Sequence, residues 1–206
     1  MARMRVAVLD YGMGNLASAA KALERAGAEV CVTADPSEVR RRGALVVPGV
    51  GAFGACMANL AAAGGVDLVR EWIGQSRPLL GICLGMQTLF ASSEEDDGAG
   101  LGVLEGKVAK LPGGPGLKVP HMGWNEVRPR ATSRLFAGID EDSRFYFVHS
   151  YYAVPSDPAV EAASCQYGIS FTAAIERGML FATQFHPEKS GDVGAALLSN
   201  FLEACR

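Results

Sequence analysis

A cysteine framed as Gly81-Ile82-Cys83-Leu84-Gly85 and a His186-Pro187-Glu188 run about a hundred residues later hold the side-chain types that acyl transfer needs. The cysteine follows an apolar stretch, Pro78-Leu79-Leu80, and precedes Met86-Gln87-Thr88-Leu89-Phe90, which reads as helical. Strand, sharp turn and helix together make the cysteine counterpart of a nucleophile elbow. The flanking glycines leave room for a turn that a Cβ would crowd. Such a turn lifts the thiol above the sheet and sets it at a helix N-terminus, where the dipole and unpaired N–H groups favour a thiolate. His186 and Glu188 follow an extended segment, Phe181 to Phe185, and have the right types to move a proton and to orient the base that moves it. The predicted chemistry is that of a Cys-His-Glu triad.

The other reactive side chains offer less. Cys31, Cys56, Cys165 and Cys205 bring the cysteines to an odd five with no C-x-x-C spacing, so neither a disulfide framework nor a zinc site is expected, and these four read as small buried hydrophobes. His121 and His149 lack a partner of triad type and read as hydrogen-bonded structural or interface residues. No metal and no cofactor are expected. Gly12-Met13-Gly14-Asn15 lacks the third glycine of a dinucleotide fingerprint, and Asp10 precedes it with a repelling charge, so it reads as a plain βα turn. The net charge is −3, and the only basic cluster, Arg40-Arg41-Arg42, reads as a helix C-cap or a solvated run; a nucleic-acid surface is not expected. The N-terminus runs into a strand without the apolar core of a signal peptide, and no apolar run reaches membrane length. A reducing cytoplasm is the expected compartment.

The elements that must position these residues fall into two textures. Strands at 5–10, 29–33, 44–47 and 79–82 alternate with helical stretches at 15–26, 52–63 and 67–74. That alternation predicts βαβ units and a parallel sheet. The third strand is expected to stop at Pro48-Gly49-Val50-Gly51. After a polar loop at 93–100 the chain is strand-like and punctuated by glycine and proline, with strands at 144–148, 160–165, 171–176 and 180–184 and a closing helix at 191–204. No linker or repeat divides it.

The motifs resemble those of class I (triad) glutamine amidotransferases: Gly81 to Gln87 is similar to their nucleophile motif, and Phe185 to Ser190 to their His-x-Glu motif. Within that family, Asp10 to Asn15, Pro48 to Phe53, Pro120 to Asn125 and Tyr146 to Tyr151 resemble the glutaminase subunits of imidazole glycerol phosphate synthases, over nearly the whole chain. The resemblance implies an α/β, flavodoxin-like fold in one amidotransferase type-1 domain over 1–206: a mostly parallel central sheet flanked by helices, with extra strands in the second half. It implies glutamine hydrolysis by Cys83, His186 and Glu188, with the ammonia passed to a separate (β/α)8-barrel cyclase in a heterodimer of histidine biosynthesis. The oxyanion donors it implies are the N–H groups of Leu84 and Val50. Gly51, Gln87, Glu95, Ser150 and Tyr151 would bind glutamine, Glu95 through the α-ammonium, though adjacent Glu94 is barely separable from it. Asn15, Trp124, Asn125 and Lys189 would serve the cyclase interface and the ammonia exit. The strand end Pro48-Gly49-Val50-Gly51 differs from the Pro-Gly-Gly-Glu-Ser of pyridoxal phosphate synthase subunits, and Met86 replaces the histidine typical of anthranilate synthase amidotransferases. A cysteine peptidase sharing the elbow would generally lack the His-Pro-Glu ending.

Overall fold

Successive apolar residues of the first strand, Arg5–Leu9 (β1), point to opposite faces: Val6 and Val8 enter one core, Ala7 and Leu9 another. A strand buried on both faces must be covered by two layers, and the chain supplies them in order. The computed structural model describes residues 3–96 and 98–206, so Met1, Ala2 and Asp97 of the acidic run lie outside the described residues. Helix α1 (Leu16–Arg25) leads to β2 (Glu29–Thr33), short α2 (Pro36–Arg40) to β3 (Ala44–Gly49), and α3 (Phe53–Ala62) with α4 (Gly65–Gly74) to β4 (Leu79–Cys83). The second half contributes α5 (Leu84–Gln87), β5 (Phe90–Ser93), β6 (Leu104–Lys110), β7 (His121–Pro129), β8 (Arg144–His149), β9 (Tyr151–Pro155), β10 (Glu161–Tyr167), β11 (Ile169–Arg177), β12 (Leu180–Thr183) and α6 (Gly191–Ala204).

Nine strands form one sheet in the order β2-β1-β3-β4-β12-β11-β10-β7-β8. The pairs from β2 to β12 are parallel and those from β12 to β8 antiparallel. The sheet is therefore more evenly mixed than the sequence suggested, because the β-rich second half extends the same sheet. Leu23 of α1 and Leu197, Leu198 and Phe201 of α6 cover one face. The other face is covered by α3 and α4, through Phe53, Leu60 and Trp72, and by a second sheet, β5-β6-β9.

Two expectations are corrected. The helix predicted from Met86 to Phe90 is a single turn, Leu84–Gln87, and Phe90 already belongs to β5. Phe90 is wholly buried and its strand pairs with β6, so tertiary packing overrides the local helical pattern. The third strand also continues through Pro48 to Gly49, where it pairs with Cys83. The arginine triplet ends α2 as expected, but it is tied down: Arg40 pairs with Glu71 at 2.8 Å, and Arg41 and Arg42 with Glu38 at 2.5 and 3.1 Å.

Candidate active site

The parallel strands β3, β4 and β12 end side by side, and ligands of open α/β sheets sit at such carboxyl ends. Cys83 closes β4 at φ 55°, ψ −110°, a conformation costing on the order of 1–3 kcal/mol for a residue with a Cβ. The packing beneath enforces it: a Cβ on Gly85 would lie 1.9 Å from the Val47 carbonyl oxygen, so only glycine lets the turn approach β3 this closely. With a single turn of helix behind it, the sulfur relies less on a helix dipole than the sequence suggested. It lies 3.8 Å from Gln184 Nε2 and 3.9 Å from the Val148 carbonyl oxygen.

His186 Nδ1 is 2.8 Å from Glu188 Oε1, with both side chains only 3% exposed. His186 Nε2 and Glu188 Oε2 are buried and make no hydrogen bond among the described residues. A buried ring nitrogen on the wall of the cavity that holds Cys83 is placed to exchange a proton with the sulfur and the substrate. Burial opposes a charge on this imidazole, but the nearby Cys83 sulfur and the Glu188 carboxylate outweigh it and lift His186 to about 9. Nε2 makes no formed hydrogen bond to the sulfur, so the sulfur acts there by proximity. Ser190, which the sequence did not single out, clamps the ring's backbone: its Oγ donates to the His186 carbonyl at 2.7 Å and accepts from Tyr146 N–H at 3.0 Å. A serine closing the Phe185 to Ser190 motif was the available signal.

Cys83, Leu84, Val50, His149 and His186 line a cavity of about 200 Å³. Gly51, Gln87, Glu95, Ser150, Tyr151 and Lys189 also border it, so every residue expected to bind glutamine lies on its wall. The structure separates the two adjacent glutamates. Glu95 accepts from the Phe53 N–H at 2.9 Å and reaches the cavity, whereas Glu94 turns to Lys107 Nζ and Lys110 N–H at 2.8 and 2.9 Å. Gln87 spends its amide nitrogen internally, on the Tyr151 carbonyl at 2.8 Å and Gln184 Oε1 at 2.9 Å. Tyr11 was also missed. Its hydroxyl donates to the Pro48 carbonyl at 2.5 Å and meets Cys56 Sγ at 3.3 Å, and burial drives the phenol far above its usual range. It ties the turn after β1 to the strand end that carries Val50.

Of the residues assigned to an interface, Trp124 and Lys189 lie around one exposed edge, whereas Asn125, next along β7, turns its side chain to the other face, toward His121 and the Gln166 carbonyl. Trp124 and Met122 are 54% and 62% exposed on one face of β7, opposite Tyr146 and Val148 of edge strand β8. Trp124 meets the Tyr146 ring edge-on at 6.0 Å, and Lys189 Nζ lies 5.8 Å over the same ring. Lys189 thus borders both the cavity and this face. Asn15 is exposed and caps α1, its Oδ1 accepting from Ser18 N–H at 3.4 Å. Of the four remaining cysteines, Cys56 and Cys165 are buried as expected, but Cys31 and Cys205 are only partly so.

A strained cysteine elbow facing a histidine–carboxylate pair at the parallel end of a mixed sheet agrees with the comparison to known families. A family model described as glutamine amidotransferase class-I matches residues 7–205, and the chain belongs to that family. Its fold is shared by a crystal structure described as a glutamine amidotransferase, with TM-score 0.76 and 22% identity over 97% of this chain and 98% of that one. It is shared also by PurLQS from Thermotoga maritima, with TM-score 0.73 and 17% identity over 100% of each chain. Much closer in sequence is the imidazole glycerol phosphate synthase subunit HisH of Synechococcus sp. (strain JA-3-3Ab), 51% identical over 205 residues, covering 98% of this chain and 95% of that one. The HisH subunit of Acinetobacter baylyi is 52% identical over 201 residues, covering 97% and 98%.

Proposed function

We propose that the chain is the glutaminase subunit of an imidazole glycerol phosphate synthase, hydrolysing glutamine through Cys83, His186 and Glu188 for histidine biosynthesis. The observation that carries the reading is the 2.8 Å His186–Glu188 pair whose free Nε2 borders the same cavity as the elbow cysteine. Cys83, as thiolate, attacks the side-chain carboxamide carbon of glutamine, forming the C–S bond and an oxyanion. The Leu84 and Val50 N–H groups are the proposed donors to that oxyanion, and losing one such donor typically costs about 10²–10³ in rate. His186 Nε2 delivers its proton to the nitrogen as the C–N bond breaks, leaving ammonia and a γ-glutamyl thioester. Water attacks the thioester, His186 takes its proton, and glutamate leaves with the thiolate restored. Glu188 holds the imidazole's orientation and stabilises its charge throughout. Glu95 receives the α-ammonium, and Gly51, Gln87, Ser150 and Tyr151 shape the rest of the glutamine site.

The chain works as one amidotransferase domain over 1–206 beside a separate cyclase subunit of (β/α)8-barrel form, in a heterodimer. Asn15, Trp124 and Lys189 face that partner, and Asn125 supports the same strand from its other face. Ammonia released into bulk water would be protonated and lose its nucleophilicity, so a closed exit beside Lys189 is part of the proposal. Cytoplasmic residence fits a biosynthetic enzyme of this class, and among the described residues no helix is long and apolar enough to cross a membrane. The test is glutamate release by the chain alone and with the histidine-pathway cyclase plus its nucleotide ligand. A low rate alone, a large rise in the complex and abolition by Cys83→Ala are expected. Vigorous hydrolysis indifferent to the cyclase would reassign the chain to another amidotransferase.

A further inference from the structure

Asn125, His121 and His149 form a hydrogen-bonded chain whose hydrogens can be assigned from either end. At the β7 end, Asn125 Oδ1 accepts from the Glu126 N–H at 2.8 Å, and Nδ2 donates to the Gln166 carbonyl at 3.0 Å. A backbone N–H only donates and a carbonyl only accepts, so this amide has one orientation. Its Nδ2 therefore also donates to His121 Nε2, 3.2 Å away. The hydrogen of His121 must then sit on Nδ1 and point to His149 Nε2 at 3.0 Å. His149 in turn carries its hydrogen on Nδ1, which faces the Tyr151 carbonyl at 2.9 Å.

Starting from the cavity end gives the same answer. The Tyr151 carbonyl only accepts, so His149 Nδ1 donates and its Nε2 accepts, which fixes His121 as a donor at Nδ1 and an acceptor at Nε2. Charging either ring would set a donor against a donor. Burial works in the same direction, pulling His121 down to about 4 and His149 to about 3. His121 is also held between the Phe147 ring at 4.8 Å and the Tyr167 ring at 3.9 Å.

The same carbonyl leads onward to the nucleophile. Tyr151 O accepts from Gln87 Nε2, which also donates to Gln184 Oε1. With its oxygen so engaged, Gln184 presents Nε2 to Cys83 Sγ at 3.8 Å. We propose that Asn125, His121 and His149 are a neutral positioning chain that fixes the Tyr151 carbonyl and, through Gln87 and Gln184, keeps an amide donor on the Cys83 sulfur. A disturbance of β7 at Asn125, next to exposed Trp124, is then transmitted to the nucleophile. The inference rests on the reading of Cys83 as the nucleophile.

With three histidines in the chain, ¹⁵N NMR of the full-length labelled protein resolves each ring. His121 and His149 are expected as neutral Nδ1–H tautomers from pH 8 down to about pH 5, given their burial. An Nε2–H tautomer or a charged ring in that range at either position overturns the proposal. His149→Asn keeps an N–H donor at the Nδ1 position and His149→Phe does not. In the complex with the cyclase, His149→Phe is expected to lower kcat for glutamine hydrolysis by about tenfold, the usual scale for a lost buried hydrogen bond. It should slow iodoacetamide alkylation of Cys83 in parallel, and His149→Asn should recover most of both. No loss in His149→Phe would mean that the ring only fills space, and a loss that His149→Asn does not recover would mean that its donor is not what matters; either result overturns the proposal. Hydrolysis surviving Cys83→Ala would instead refute the assigned function, a result the NMR tautomers do not touch.

Discussion

Replacing Glu188 by glutamine keeps its shape and removes the charge that His186 faces at 2.8 Å. The folded imidazole is raised from its usual 6.5 to about 9, with Cys83 and Glu188 both contributing against the cost of burial. At about 1.4 kcal/mol per pH unit, that rise is worth about 3 kcal/mol of stability when the ring is charged. The folded pKa lies above the unfolded one, so this contribution is fully present below pH 6.5 and is lost as the pH climbs through 9. Glu188→Gln should flatten that decline, because the ring then gives up its proton at lower pH. Urea unfolding of both proteins at pH 6.5, 7.5 and 9 measures the difference, which should be largest at the lowest of these and shrink upward. An uncharged partner also leaves the imidazolium of the transition state unsupported, and general acid–base terms run to about 10²–10⁴. Glutamine hydrolysis in the cyclase complex should therefore fall by about two to four orders of magnitude in kcat, with KM little changed. A stability difference independent of pH, together with kcat near the wild-type value, would refute the pairing as the organising feature of the site.

Glu95→Ala should raise KM for glutamine at least about tenfold, as loss of a charge-assisted hydrogen bond does, while Glu94→Ala should leave steady-state kinetics unchanged. Gly51 lies at φ +92°, and an added Cβ would meet only the flexible Met13 side chain at 3.1 Å, so Gly51→Val should shift the Val50–Gly51 peptide and change how strongly the cyclase stimulates hydrolysis. Gly49 is unsuitable for that test, since its Cβ would strike Gly85 N at 2.8 Å and damage the elbow itself. Trp124→Ala removes an exposed aromatic anchor and should weaken cyclase binding by about 2 kcal/mol or more in titration calorimetry, with hydrolysis recovered at saturating partner.

The sequence was most legible where one local pattern has one physical solution. Glycines around Cys83 specified the elbow, the His-x-Glu spacing specified the His186–Glu188 pair, and the helix at 191–204 coincides with α6. It was least legible where distant packing decides. Phe90 leaves the helical pattern because it is needed in a second core, and Met86 to Thr88 gave no sign of that. The glutamates at 94 and 95 are alike in sequence and are separated only by what each meets across the fold, Lys107 for one and the first turn of α3 for the other. Gln184 and Tyr11 were given no role because a lone glutamine in a strand and a tyrosine in a turn carry no chemical pattern of their own. Their roles depend on Cys83 and Pro48, 101 and 37 residues away along the chain.

Covalent capture of the nucleophile tests the central claim most directly. A diazoketone analogue of glutamine, incubated with the chain in complex with the cyclase and its nucleotide ligand, should add one equivalent of label. Peptide mass spectrometry should place that label on Cys83 and on none of the other four cysteines, and excess glutamine should protect it. Label on another residue, or none under conditions in which glutamate is being released, would contradict the account.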